Sequence, residues 1–293
     1  MTIPAHHVIS EPPSFDQPPY PPDIFAGRTV LVSGGGSGMG LAMATAFAQG
    51  GANVAVMGRS IERARAGAAE VAALGGKVHA LSGDVRHPDQ VAAAFDEAEA
   101  VLGPISLLAN NAGANFPVLA ENISPNAWDA VTRIAIDGTF LCSTELARRL
   151  IARGEAGAVV NNSAQYIWTG FPGDAHSAAA KTAQATMTRR MAAEWAPHRI
   201  RVNAVAAGFF PHASSTNGDK AEAIAPLQNM IPAGRAGRIR EFGWLSAMIC
   251  SPLLDGLNGQ VIMQDGGESL RRSLMMPDFV PPRERVNGPW GLE

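Results

Sequence analysis

Seven short apolar runs alternate with longer Ala-rich stretches from Thr29 onward, and that alternation leaves few folds open. The runs are "TVLVS", "NVAVMG", "KVHALSGD", "ISLLANNAG", "GAVVNNS", "IRVNAVA" and "GQVIMQDGG". Between them stand "GLAMATAFAQGG", "IERARAGAAEVAALGG", "HPDQVAAAFDEAEAVLG", a long helical pattern near Asn126 to Arg153, another from about Asp174 to Ala196, and a last one after a variable segment. Strands that are apolar throughout are covered on both faces, and helices of this length between them are the crossovers of a parallel sheet. The expected fold is α/β, a single doubly wound Rossmann domain with a parallel seven-stranded sheet over residues 27–267. Residues 1–26 are too rich in proline for helix or central strand, and read as an extended arm on the surface or on a neighbouring subunit. Residues 268–293 read as an irregular tail, and residues of about 209–231 as a substrate loop. No internal repeat or second composition regime divides the chain.

Composition narrows the partners. A net charge of −3 gives no electrostatic case for nucleic acid or an anionic membrane surface, so a small-molecule substrate is expected. Cys142 and Cys250 each lie among apolar or small residues and read as buried reduced thiols, with no metal site expected. No apolar run reaches the ~20 residues of a membrane span, and the first residues lack the basic-then-apolar order of a secretory signal. A soluble, reducing compartment, most simply the cytoplasm, is the expected setting.

The first apolar run leads into "SGGGSGMG", Ser33 to Gly40, directly before a helical pattern. Glycines there let the backbone turn sharply and approach a pyrophosphate, whose charge sits against the free N–H groups of the helix N-terminus. Ser33, Gly34, Gly36, Ser37, Gly38 and Met39 are therefore candidate cofactor contacts. The second run ends in "VMGRS". An acidic residue there would accept from the ribose 2′-OH of NAD; Gly58 is instead followed by Arg59 and Ser60, which leaves a cation for a 2′-phosphate and favours NADPH.

The ordered set of "SGGGSGMG", "GDV" at Gly83 to Val85, "NNAG" at Asn110 to Gly113, "VVNNS" ending at Ser163, Lys181, "IRVNAV" at Ile200 to Val205 and "DGG" at Asp265 to Gly267 resembles the short-chain dehydrogenase/reductase family. The resemblance implies that Asp84 and Val85 approach the adenine. It implies that Asn111, Ala112 and Gly113 support the cofactor, and that Lys181 holds the nicotinamide ribose. Gly208 and Phe209 would bring backbone to the nicotinamide amide, although Ala207-Gly208 stands where the family usually has Pro-Gly.

At its centre the chain departs from the family. The usual pattern is Tyr-x-x-x-Lys, whose phenol exchanges a proton with a carbonyl oxygen; here Ser177 stands four before Lys181, and a serine hydroxyl is a far poorer acid. One branch shares this departure. The "NNAGANF", "ISPNAW" and "DGTF" stretches, Tyr166 and "HSAAAKTAQATMTRRMAAEWAP" resemble the 2,4-dienoyl-CoA reductases, in which the tyrosine comes from the loop after the preceding strand. That resemblance implies catalytic roles for Asn115, Tyr166, Ser177 and Lys181, an acyl-CoA thioester as substrate, a place in fatty acid metabolism and a homotetramer. Hydride attack on a conjugated thioester puts negative charge on the thioester oxygen, so the site needs donors there, and Tyr166 and Asn115 can supply two. Two alternatives stay open: a carbonyl or hydroxysteroid-type reductase using Ser163 with a repositioned Tyr166, and a non-catalytic NADP-binding homologue. His176 reads as structural or solvated.

Overall fold

The computed structural model describes residues 18–74, 76–170, 172–212 and 231–270. Seven parallel strands form one sheet in the order β3-β2-β1-β4-β5-β6-β7. They are β1 (Thr29–Ser33), β2 (Asn53–Gly58), β3 (Val78–Ser82), β4 (Ile105–Asn110), β5 (Gly157–Ala164), β6 (Ile200–Ala207) and β7 (Val261–Gln264). The principal helices are α1 (Gly38–Gln49), α2 (Ile61–Ala72), α3 (Pro88–Leu102), α4 (Pro125–Thr132), α5 (Gly138–Arg153), α6 (Ala175–Trp195) and α7 (Ile239–Cys250). The chain reverses its strand order between β1 and β4, and in an open parallel sheet the crevice at such a switch point, beyond the carboxyl ends of the strands, is where ligands bind. The doubly wound Rossmann domain with a seven-stranded parallel sheet is as the sequence led us to expect.

The continuous apolar runs have a simple cause. Successive strand side chains go to opposite faces, so Val30 and Val32 join Met43, Phe47 and Phe242 in one buried cluster while Leu31 joins Phe95, Leu146 and Leu150 in the other. Helices α1, α2 and α7 cover the first face and α3, α5 and α6 the second. α1 and α7 touch through backbone. A Cβ on Gly243 would lie 2.2 Å from the Ala42 carbonyl oxygen, so only glycine permits the approach.

Two expectations need correction. The described end of the arm does not lie loosely on the surface. The Tyr20 hydroxyl donates to the Ala46 carbonyl at 2.8 Å, and Phe25, fully buried, packs its ring 5.2 Å from that of Phe47, covering the apolar C-terminal end of α1. The remainder of the arm (1–17), residues 213–230 of the expected substrate loop and residues 271–293 of the tail lie outside the described residues. The long helical pattern near Asn126 to Arg153 is not one helix either. A π-helical turn, Arg133–Asp137, joins α4 to α5, with the Gly138 N–H donating to the Arg133 carbonyl. The wider turn lets α4 pack on α6 while α5 packs on β4 and α3. Gly138 follows because a Cβ there would stand 2.5 Å from a Val85 methyl.

Cys142 and Cys250 are buried and unpaired, and burial pushes both thiols up to about 12. Among the described residues no helix is long and apolar enough to cross a membrane.

Candidate active site

The turn after β1 is set by close backbone contact. Gly34 (φ +66°) and Gly38 (φ +55°) occupy the left-handed region. A Cβ on Gly36 would lie 2.6 Å from the Arg63 carbonyl oxygen, and one on Gly40 would lie 2.1 Å from that of Gly34. The turn delivers the N-terminus of α1, where Ser37 is the N-cap residue in extended conformation and makes no side-chain cap bond. The first N–H groups of a 12-residue helix are thus left for an anion, the arrangement that suits a pyrophosphate. Met39 is partly buried beside Asn162, whose amide lies 3.9 Å from the Met39 sulfur.

Ser33 turns its hydroxyl inward. It accepts from the backbone N–H groups of Asn111 and Ala112, each at 3.1 Å, so its hydroxyl is engaged within the protein. Asn111 donates to the carbonyls of Ser33 at 3.3 Å and Gly34 at 3.1 Å, and accepts from Asn162 at 2.9 Å. A Cβ on Gly113 would stand 4.0 Å from Lys181 Nζ, which puts this turn beside the lysine.

At the end of β2, Arg59 and Ser60 are exposed. The Ser60 hydroxyl caps α2 by accepting from the Arg63 N–H at 3.2 Å. Beyond β3 the Arg86 guanidinium grips Asp84 through its Nε at 2.9 and 3.0 Å, holding that carboxyl down at about 2, with Arg59 adding a smaller pull. This edge therefore carries two guanidinium groups, of which Arg86 is committed to Asp84. Val85 is buried and packs its side chain on Gly138 of α5. At the end of β6, the Gly208 N–H donates to the Gln264 carbonyl at 3.0 Å, and a Cβ on Gly208 would lie 2.6 Å from Asp265, so glycine here answers a packing demand. The neighbouring Phe209, half-buried, accepts through its carbonyl from the Gly237 N–H at 2.9 Å.

The 3-10 turn Gln165–Trp168 after β5 carries Tyr166 to the N-terminal turns of α6, where its hydroxyl lies 2.7 Å from Ser177 Oγ. Burial raises the Tyr166 pKa, the Ser177 hydrogen bond lowers it, and the negative charge of Asp174 raises it again. The phenol therefore stays protonated as a hydrogen-bond donor. One helical turn on, the Lys181 ammonium donates to the Asn162 carbonyl, and burial draws its pKa down to about 8. Ser163 Oγ is buried with no partner, so Tyr166 is engaged by Ser177 and not by Ser163. Asn115 is exposed on the loop facing α6; burial raises the Asp174 pKa, and the Asn115 carboxamide works against that rise. His176 is fully buried, not solvated, with its ring 4.8 Å from that of Phe116. Sequence reasoning did not single out Asp174, Asn162 or Arg86. The repeated asparagines of "NNAG" and "VVNNS" were the available signal for Asn162.

A switch-point crevice with an anion-ready helix end, and a tyrosine, serine and lysine gathered beside it, defines a nucleotide-dependent oxidoreductase site. The family model described as enoyl-(acyl carrier protein) reductase matches residues 34–269. A probable 2,4-dienoyl-CoA reductase [(2E)-enoyl-CoA-producing] of Bacillus subtilis is 36% identical, covering 83% of this chain and 97% of that protein. The peroxisomal 2,4-dienoyl-CoA reductase [(3E)-enoyl-CoA-producing] of Mus musculus is 35% identical, covering 84% and 85%. Among solved structures, a short chain dehydrogenase from Bacillus anthracis superposes with a TM-score of 0.77 at 35% identity, covering 84% of this chain and 98% of that one. A gluconate 5-dehydrogenase from Burkholderia cenocepacia, in complex with NADP and tartrate, superposes with a TM-score of 0.78 at 33% identity, covering 85% and 98%. The chain belongs to the short-chain dehydrogenase/reductase family of oxidoreductases, and its similarity runs to the 2,4-dienoyl-CoA reductase branch.

The half-buried Lys181 gives a stability test in cofactor-free protein. Its folded pKa of about 8 lies below the ordinary 10.5, so between those values the unfolded chain holds the extra proton and stability rises with pH. The penalty is present in full below about pH 8 and relieved above it. In urea unfolding at pH 7.5 and pH 10, wild type should gain on the order of 2 kcal/mol relative to Lys181→Met. Parallel curves for the two proteins would contradict a desolvated lysine of lowered pKa.

Proposed function

We propose that the protein is an NADPH-dependent reductase of a conjugated enoyl thioester of the 2,4-dienoyl-CoA type, acting on acyl-CoA in fatty acid metabolism. The observation that carries this is the 2.7 Å contact of Tyr166 with Ser177, one turn from the half-buried Lys181, in place of a tyrosine on α6 itself. Bound NADPH supplies the hydride. Its pyrophosphate would be held by the glycine turn and the α1 N-terminus, its 2′-phosphate by Arg59, and its nicotinamide ribose by Lys181.

Reduction of a conjugated thioester at its far end needs no acid at the carbon that receives hydride. Hydride transfer leaves a dienolate whose charge gathers on the thioester oxygen, so that step needs donors already in place, and the dienolate then takes a proton from water at carbon to give the enoyl thioester. Tyr166 suits this role: with Ser177 donating to the phenol oxygen, the phenol proton is left for the substrate. Asn115 adds a second donor. Ser177 holds Tyr166 in position, and Lys181, anchored on the Asn162 carbonyl, holds the cofactor and adds positive potential. The dienoyl names of the relatives support the same reading. The exposed Trp128, Phe140 and Ile151 on α4 and α5 favour burial of those helices in a homotetramer. We place the enzyme in the cytoplasm as the simplest setting.

Two experiments test this. NADPH should bind more tightly than NADH, and Arg59→Ala should cost about 10- to 150-fold in NADPH affinity by loss of one charge-assisted contact; equal wild-type affinities for the two cofactors would contradict the assignment. Tyr166→Phe should leave NADPH affinity nearly unchanged while lowering single-turnover reduction of a dienoyl thioester by about 10²–10³. An unchanged rate would make Tyr166 a bystander.

A further inference from the structure

Asp174 is the N-cap residue of α6, and aspartate is among the strongest N-cap residues because its carboxylate accepts from the free N–H groups of the first turn. Here it makes no cap bond. Its backbone (φ −125°, ψ 23°) is outside the extended cap conformation, and only its carbonyl serves the helix, accepting from the Ala178 N–H at 2.7 Å. The side chain is 7% exposed and Oδ1 has no partner at all. A buried carboxyl that forgoes its local hydrogen bond costs stability, and such departures concentrate where function holds a group in place.

The loop that carries Asn115 packs on this end of α6. Burial raises the Asp174 pKa, and the Asn115 carboxamide draws it back down in part. Asp174 also acts on Tyr166, whose pKa its negative charge helps to raise. Two further contacts tie the Asn115 loop to the same end of α6. The Phe116 ring meets the fully buried His176 ring edge-on at 4.8 Å and 77°, and the Val118 N–H donates to the Gly173 carbonyl at 2.9 Å. Residues 115, 116 and 118 are thus matched to 174, 176 and 173.

We propose that Asp174 is a positioning residue, which accepts one N–H of the Asn115 carboxamide and so directs the other toward the substrate oxygen, while the Phe116–His176 contact fixes the loop behind it. The role rests on the reading of Asn115 as an oxyanion donor. An amide on an exposed loop can rotate freely. An amide tethered by a buried carboxyl presents its second N–H in one orientation, which is what a donor must have in place before charge develops. A carboxylate so near also opposes the developing oxyanion, and its burial, which favours the neutral form, limits that opposition.

A double-mutant cycle over Asp174 and Asn115 tests this, with single-turnover NADPH oxidation by a 2,4-dienoyl-CoA and NADPH affinity by fluorescence as the two readouts. Asp174→Ala should slow reduction by about 10-fold and Asn115→Ala by about 10²-fold, the double variant should be no slower than Asn115→Ala, and NADPH affinity should stay at the parent value throughout. Asp174→Asn, which keeps an acceptor oxygen of the same shape, should recover most of the loss, and it completes the cycle if the alanine variant fails to fold. Multiplicative losses in the double variant, or losses that follow NADPH affinity, would overturn the positioning role while leaving Asn115 as a donor. An Asn115→Ala protein that reduces the thioester at the parent rate would overturn the donor reading and the positioning role together.

Discussion

Asn111 and Asn162 hold three strand ends together, and the candidate site takes its geometry from that clasp. Asn162 donates to the Asn111 side chain at 2.9 Å, Asn111 donates to the carbonyls after β1, and the Lys181 ammonium rests on the Asn162 carbonyl. The glycine turn at one end and the lysine at the other are therefore joined by one line of buried and half-buried polar contacts. Losing either amide would strand buried donors and acceptors at a cost of about 1–3 kcal/mol each. A second line lies beneath it. Asn110 donates to Ser143 of α5 at 2.8 Å and to Asn161 at 2.9 Å, and Asn161 donates to Thr188 of α6 at 2.9 Å. Both helices that flank the site are thereby registered on the sheet by side-chain amides.

Within that frame, moving the tyrosine off α6 changes what the site can do. A phenol directly beside a lysine ammonium is an acid; a phenol raised by burial and held by a serine hydroxyl is a donor. The first suits a ketone, which needs a proton as hydride arrives. On the proposed reading the second suits a thioester, whose oxygen carries charge that must be held as hydride arrives and is quenched only afterwards. In the proposed positioning role, Asp174 extends the same logic to Asn115, because a side-chain donor is useful only when something fixes its direction.

Much of the fold was legible because burial on both faces leaves an unmistakable pattern: "TVLVS" and "NVAVMG" have no polar alternation to mislead, and the glycines of "SGGGSGMG" answer demands of backbone approach that no other residue meets. The π-helical turn at Arg133–Asp137 was not legible, since its residues carry an ordinary helical pattern and the break comes from packing α4 and α5 on different neighbours. Nor was the insertion of Tyr20 and Phe25 into the core, because prolines on either side signal extended chain without saying what it covers. For the site, the glycine turn follows from local pattern, whereas Lys181, Tyr166 and Asn115 stand out only through family resemblance. Ser33 was read as a cofactor contact from its place in the string, yet its hydroxyl bonds the turn after β4, a partner 78 residues away. Asp174 was invisible for the opposite reason: an aspartate before a helix looks like a cap.

The most direct measurement is NADPH oxidation by the wild-type enzyme with a 2,4-dienoyl-CoA and a 3-ketoacyl-CoA of the same chain length, compared by kcat/KM. A site built of donors without a strong acid should favour the dienoyl thioester by about 10²-fold or more, the scale on which a positioned general acid contributes to carbonyl reduction. Equal or faster turnover of the ketoacyl thioester would contradict it, and would mean that Tyr166 and Ser177 together pass a proton as a single tyrosine does elsewhere in the family.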